Sequence, residues 1–333
     1  MNSKSMKYHF FNFCLALLSL TMLPGCYQDI DLDRYKGQNG ENLLTINSVV
    51  NPDSTVSALA TRTYFFSDIH NRRDYVNDLD IRLYLNGEEK GTLVYDPGRQ
   101  MYFSDVRPAE NDTVELRTRY RGSDVSCSDV VPASVKIESV KANRQGPMSI
   151  YTNNDYIITY EITFTDDPRP GNRYFLDYDT SDWRKGLSMG VRDYTYEYVF
   201  QQLANRVNSN LPGWEPYSPD GLPFTDEGIN GKRHTLVVKE IIQGSHSISL
   251  TNYTEMGRRF RLFSISEDYY RYLLSVLYND PMADGLHGGM IDLGLSEPMK
   301  YFSNINGGVG IFAAYSLDEA ELDVIQICGR FPK

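Results

Sequence analysis

The chain is predicted to be mainly β: an N-terminal immunoglobulin-like β-sandwich followed by a larger β-rich domain that carries one prominent α-helix. Three observations point there. Aromatic residues are abundant, with 25 Tyr and 15 Phe in 333 residues, and together with many Thr, Val and Ile they give the composition of half-buried strands. Short runs alternate apolar and polar residues with period two. Clusters of Asn, Asp, Pro and Gly punctuate those runs at close intervals.

Residues 43–50 form the first strand, closed by Asn51-Pro52-Asp53. A longer strand over 55–66 carries Thr, Tyr and Phe. Residues 80–85 alternate polar and apolar, and Asn86-Gly87 follows, the strongest short hairpin signal because both residues tolerate positive φ. Residues 91–95 pair back, Asp96-Pro97-Gly98 turns again, and strands over 100–104, 113–120 and 124–131 complete the set. Seven short strands within about 90 residues match the spacing of an immunoglobulin-like sandwich. Val131-Pro132 ends it, since proline cannot continue a central ladder. The first domain is therefore placed at 42–132.

The second domain, 133–333, opens with alternation over 134–140. Strands at 156–164 and 174–179 are linked by Asp166-Asp167-Pro168-Arg169-Pro170-Gly171-Asn172. Over 193–200, Tyr194, Tyr196 and Tyr198 share one strand face, opposite Asp193, Thr195 and Glu197. From 205 to 232 the pattern dissolves around Trp214, Tyr217 and Phe224, and strands resume at 234–241, 247–253 and 259–265. One helix stands out near 265–279. Ser264 with Glu267 fits a capping box, and Ser266 is an alternative cap. Tyr270, Leu273, Leu274 and Leu277 form a stripe suited to packing on a sheet, and Asn279-Asp280-Pro281 stops the helix. Strands at 308–315 and 322–328 finish the chain.

The N-terminus carries an address. Lys4 and Lys7 precede an apolar run over 10–23, which is shorter than the ~20 apolar residues of a membrane-spanning helix. This is the layout of a secretory signal peptide, residues 1–25. Leu23-Pro24-Gly25-Cys26 resembles a bacterial lipobox, in which Cys26 takes palmitate-class acyl chains and becomes the mature N-terminus; Pro24 departs from the usual small residue. The competing reading is an ordinary signal peptide with an incidental cysteine. Each buried methylene is worth ~0.8 kcal/mol, so several acyl chains anchor stably. Residues 26–41 form an acidic tether. Asp29, Asp31 and Asp33 resemble the export signal that sends some lipoproteins to the outer face of the outer membrane, although acids are also common in solvated linkers.

With Lys4 and Lys7 removed, 31 basic residues face 44 acidic ones, a net charge of −13. That balance excludes a nucleic-acid partner. Besides Cys26, the mature chain holds only Cys127 and Cys328. This excludes a disulfide scaffold or cysteine-rich zinc site, and leaves open one bridge between them or two separate buried thiols.

Motifs for catalysis are missing. His70, His234, His246 and His287 have no metal-ligand spacing. Gly244-Ser245-His246-Ser247 is not a nucleophile elbow. Asn306-Gly307-Gly308-Val309-Gly310 lacks the lysine and serine of a phosphate loop and reads as a turn into a strand. Asp177, Asp179 and Asp182 lack the glycine and distal glutamate of a calcium loop and read as solvated strand-end acids. No metal or cofactor is implied, and the chain is read as a non-enzyme. The one functional candidate is the 205–232 connection, long enough to be functional or disordered. Its Trp214, Tyr217 and Phe224 either stack on a glycan, peptide or partner, or fold back as a covering flap.

Several segments resemble the outer-membrane lipoprotein family called domain of unknown function 4249. They are the lipobox with its acids; Val49-Val50-Asn51-Pro52-Asp53; Tyr102-Phe103 with Val114-Glu115-Leu116 and Val130-Val131-Pro132; and Phe224-Thr225-Asp226-Glu227-Gly228-Ile229-Asn230-Gly231. The most specific is a C-terminal pair, the run from Ile265 to Leu273 and the run from Ser296 to Phe312, in which Met299-Lys300-Tyr301 is more polar than the pattern. The resemblance implies an accessory of TonB-dependent outer-membrane transporters and assigns no catalytic residue. The C-terminal string reads as architecture, with Asn304, Asn306 and the glycines supplying turns and the helix tyrosines supplying core. The expected function is a membrane-anchored accessory in nutrient capture or transporter docking. The alternatives are a surface hydrolase with an unrecognised site and a structural adhesin-like module.

Overall fold

The computed structural model describes residues 42–64, 74–150, 155–180, 190–201, 203, 221–242, 257–279, 290, 295 and 300–323. The signal peptide, Cys26 and the acidic tether, Trp214, Tyr217, the 247–253 strand and Cys328 lie outside the described residues. Sixteen strands and one long helix are described, and the chain is mainly β.

Eight strands come from the first half: β1 (Leu44–Val50), β2 (Ser57–Arg62), β3 (Arg82–Leu85), β4 (Glu88–Thr92), β5 (Val94–Asp96), β6 (Met101–Phe103), β7 (Thr113–Tyr120) and β8 (Ser123–Val130). Asn86 and Gly87, with φ of 53° and 83°, turn β3 into β4 as the sequence requires. Where one strand was expected over 91–95, the chain makes two that belong to different sheets: β4 pairs with β3, and β5 with β6. Two sheets close over one core. Leu44 and Ile46 from β1, Ala58 and Ala60 from β2 and Tyr102 from β6 meet Leu83, Leu85, Val114, Leu116 and Val125 from the other sheet. This two-sheet arrangement is compatible with an immunoglobulin-like sandwich.

The second core lies between β9 (Ile137–Met148), β10 (Asp155–Thr165), β12 (Val191–Asp193) and β14 (Arg233–Ile242) on one side and β11 (Arg173–Thr180), β13 (Gly221–Thr225) and β15 (Arg258–Ile265) on the other. It is aromatic. Tyr160 and Tyr178 both pack on Phe260 with centroids 5.1 and 5.5 Å away, and Phe200 meets Phe224 at 5.1 Å.

The last strand joins the two cores. β16 (Val309–Leu322) is a 14-residue strand that runs well past the end of the one expected over 308–315; the strand expected over 322–328 lies almost wholly outside the described residues. The first half of β16 runs parallel to β1, and its second half runs antiparallel to β15. One eight-stranded sheet results, in the order β13-β11-β15-β16-β1-β2-β6-β5. Ile305, Phe312 and Ala314 enter the first core and Leu322 the second. The sandwich placed at 42–132 is therefore completed by a strand from the C-terminus.

Three further expectations are corrected. Residues 193–200 are not a strand, because Asp193 Oδ1 accepts hydrogen bonds from the Thr195 backbone N–H and hydroxyl, ending β12, and a 3₁₀ turn follows at Tyr198–Phe200. The 205–232 connection contains β13, which pairs with β11. The helix α1 (Glu267–Asn279) is capped by Ser266, whose Oγ accepts the Tyr269 N–H at 3.2 Å, while Ser264 sits in β15 opposite Tyr174 and Ser316. No described helix is long and apolar enough to cross a membrane.

Candidate functional site

The helix stripe does not pack wholly onto the sheet. Leu277 reaches the second core and Tyr269 packs near Tyr315. Tyr270, Leu274 and Tyr278, one turn apart, instead form one wall of a cleft of about 800 Å³. Pro223, Phe224 and Thr225 of β13, Glu227 and Gly228 of the following turn, and Tyr198, Val199 and Leu203 form the rest.

Each wall is held from behind. Arg173 of β11 pairs with Glu267 at 3.0 Å and lies over the Tyr270 ring at 5.7 Å, fixing the first turn of α1. The turn bearing Glu227 is fixed by two carboxylates. Asp226 accepts the Gly171 and Asn172 N–H groups at 2.8 and 2.9 Å, and Asp166 accepts the Gly231 N–H at 2.7 Å. Burial pushes the Asp166 carboxyl above its ordinary range against the opposing bond from Tyr174, and the Asp226 charge adds to the rise. Burial, and then the neighbouring Tyr278, also push up the Tyr270 hydroxyl. Among the described residues no Lys, Arg or His lines the cleft. Tyrosine faces and hydroxyls beside one carboxylate suit a neutral or cationic ligand and disfavour an anion.

Of the predicted binding residues, only Phe224 is described, and it is 1% exposed. Strand alternation turns it inward against Phe200 and Tyr174, so Phe224 is a core residue and not an exposed anchor. Sequence reasoning missed Tyr198, Tyr278 and Glu227, and assigned Tyr270 to the core. The signal that could have found them is the i, i+4, i+8 spacing of Tyr270, Leu274 and Tyr278. Cys127 is a free thiol buried in the first core and pushed up to about 12 by burial, so of the two readings left open, a bridge or separate thiols, it takes the second. Asp177 is not a solvated strand-end acid, since it is buried and paired with Arg261; Asp179, at the end of β11, is one, with its side chain 41% exposed, and Asp182 lies outside the described residues. Among the described residues no cluster of His, Cys, Asp or Glu is placed to hold a metal ion.

Two other polar groups are built into the architecture. Glu240 and Arg258, both 0% exposed, form a two-bond pair at 3.0 and 3.2 Å inside the second core. Burial alone would raise Glu240, but Arg258 and the Tyr160 hydroxyl outweigh it and hold the carboxyl below its usual range. Between the two cores, Ser266 donates its hydroxyl proton to Asp129 of β8, whose carboxyl burial pushes up to about 6.

The model of the family described as domain of unknown function 4249 matches residues 28–321. The chain belongs to this family. No curated protein matches the DUF4249 chain. Among solved structures it is similar to a "putative membrane anchored protein" from Corynebacterium diphtheriae, at 11% identity and a TM-score of 0.20, over 68% of this chain and 55% of that one. It is also similar to a glycosyl hydrolase family 2 member of Bacteroides cellulosilyticus, at 11% identity and 0.19, over 70% and 24%. A third is a biofilm associated protein B domain, at 8% and 0.21, over 86% and 88%. The DUF4249 chain thus spans about half of the first of these and a quarter of the second, and likenesses this loose carry no argument about its fold or activity. The described parts of its C-terminal signature are structural: Ser266 caps α1, Ser275 Oγ accepts the Phe302 N–H, and Asn304 joins Asp268 to β16.

Proposed function

We propose that this chain is a non-enzymatic, lipid-anchored accessory of the outer membrane, exposed at the cell surface. In this reading, the cleft between α1 and β13 takes a glycan or peptide ligand for a TonB-dependent transporter. The observation that carries the reading is the tyrosine-lined wall of that cleft: rings and hydroxyls of Tyr270 and Tyr278 on the helix and of Tyr198 in the 3₁₀ turn, beside Glu227, with the helix and the turn that bears Glu227 both fixed from behind. Such a surface binds through stacking and hydroxyl contacts, at little cost in side-chain ordering. The Cys26 lipobox and its acidic tether support the location.

Two measurements test it. Titration of the purified protein with panels of neutral oligosaccharides and of capped neutral hexapeptides should change tyrosine fluorescence for one panel, and the joint substitution Tyr270→Ala, Tyr278→Ala should abolish the change. The lipidated protein should also bring a β-barrel partner through purification from solubilised outer membranes. Silence in both panels together with purification alone refutes the proposal.

A further inference from the structure

The strand register fixes the end of the molecule at which the tether leaves. β1 and β16 run parallel, with Thr45 opposite Val309 and Val50 opposite Ala314. β16 then continues along β15, from Tyr315 opposite Ile265 to Leu322 opposite Arg258. The start of β1 therefore lies beside the end of β16 that is furthest from the second core. At about 3.3 Å per residue, Leu322 stands about 43 Å along the strand from Val309.

Other elements gather at the start of β1. Leu44 pairs with Arg62, and Ser126 bridges Asn306, just before Val309. The β7–β8 hairpin turns beyond the Arg119–Asp124 pair, at Arg121 and Gly122. A polar recess of about 450 Å³ opens there, lined by Arg62, Asp74, Asp78, Arg119, Tyr120 and Arg121. Arg62 is paired with Asp74 and Arg119 with Asp124. Arg121 lies over the Tyr120 ring at 5.5 Å and has no carboxylate partner among the described residues.

We propose that this end of the N-terminal sandwich faces the membrane and rests against phosphate-bearing lipid headgroups, with the second sandwich and its cleft directed outward. The inference rests on acylation of Cys26. Leu44 is eighteen residue steps beyond Cys26, a reach of at most about 60–65 Å. Presenting the far end of β16 to the bilayer instead would consume about two thirds of that reach in running back along the strand. An unpaired guanidinium beside a tyrosine at a hairpin tip matches the chemistry of a headgroup layer, where basic and aromatic side chains settle.

The test uses the lipidated full chain, with Cys328→Ser, in vesicles of phosphatidylethanolamine and phosphatidylglycerol that carry a headgroup spin-labelled lipid. A fluorophore is placed through Ser123→Cys or through Glu321→Cys; both positions are exposed, and Cys127 is buried. Quenching at position 123 should exceed that at 321 at least threefold, and adding Arg121→Glu should at least halve it. Protein that floats free of the vesicles overturns the anchor and the orientation with it. Bound protein with equal or reversed quenching overturns the orientation alone. Quenching at 123 that ignores Arg121→Glu overturns the headgroup contact and hands this end to another partner, such as the rim of a barrel.

Discussion

Asn304 holds both backbone groups of Phe312: its Nδ2 donates to the Phe312 carbonyl at 2.7 Å, and its Oδ1 accepts the Phe312 N–H at 2.9 Å. The side chain acts as a further rung of the sheet against β16. The same amide donates to Asp268 in the first turn of α1 at 2.8 Å, so one residue joins helix and strand.

Asn304→Ala removes three hydrogen bonds and strands both groups of Phe312. At roughly 1 kcal/mol per bond, and more for a group left buried and unpaired, stability should fall by about 2–4 kcal/mol in urea unfolding. Asn304→Asp should cost at least as much, because a carboxylate would face the Phe312 carbonyl and Asp268. A loss below about 0.5 kcal/mol for either would remove Asn304 from this role.

Gly310 has φ of 116°, and a Cβ added there would collide with the Ile46 carbonyl oxygen of the paired strand. Gly310→Ala should therefore break the β1–β16 pairing and cost more than about 4 kcal/mol or prevent folding, the mark of an exceptional site. Gly87→Ala is the control: φ is 83° but no atom lies within 4 Å, so only conformational strain of about 1–2 kcal/mol is expected. Equal melting temperatures for the two variants would contradict the close approach.

Local patterns exposed much of this fold to inspection. Alternation placed 113–120 without error, Asn86-Gly87 named its hairpin, and the α1 stripe located the helix to within two residues. What could not be read locally is pairing across the whole chain. Nothing near Val309 shows that it will lie beside Thr45, so the start of β16 looked like an ordinary short strand over 308–315. The site failed for a related reason. Phe224 and Tyr278 carry the same aromatic signal; the register of β13 on β11 buries the Phe224 ring behind the cleft, while the place of α1 leaves Tyr278 half-buried on its wall.

Asp129 makes stability pH-dependent. Its carboxyl ordinarily titrates near 3.8 and is raised to about 6 in the folded chain, by burial first and with a smaller contribution from Asp268. The folded state therefore holds this proton more tightly than the unfolded state. The associated stability is fully present below about pH 4 and is lost as pH rises through 6. Against Asp129→Asn, the natural chain should lose about 1–3 kcal/mol between pH 4 and 7, at 1.36 kcal/mol per pH unit less the effect of solvent at a half-buried group. Parallel stability curves for the two proteins across that window would contradict the raised carboxyl.

Glu240 and Arg258 are a matched pair inside an aromatic core, and the Gly190 N–H and the Tyr160 hydroxyl also donate to Glu240. Those two donors use different carboxyl oxygens, so Glu240→Gln keeps an acceptor for only one of them and leaves the guanidinium buried without its counter-charge; it should cost about 3–5 kcal/mol. Adding Arg258→Met removes the stranded charge and should recover most of the loss. A double variant no more stable than Glu240→Gln alone would show that the pair does not act as a unit.

Phe224 and Tyr278 separate folding from binding. Phe224 is enclosed by Phe164, Tyr174 and Phe200, so Phe224→Ala should lower stability by about 3–5 kcal/mol through the cavity it leaves. Tyr278 is half-buried on the cleft wall, and Tyr278→Ala should cost under about 1.5 kcal/mol while weakening ligand binding by about 2 kcal/mol or more, as for an interface anchor. Melting curves and tyrosine-quenching titrations on the same two proteins decide the matter. If Tyr278→Ala melts as early as Phe224→Ala, the tyrosine wall is core, and the ligand site must be sought elsewhere on the chain.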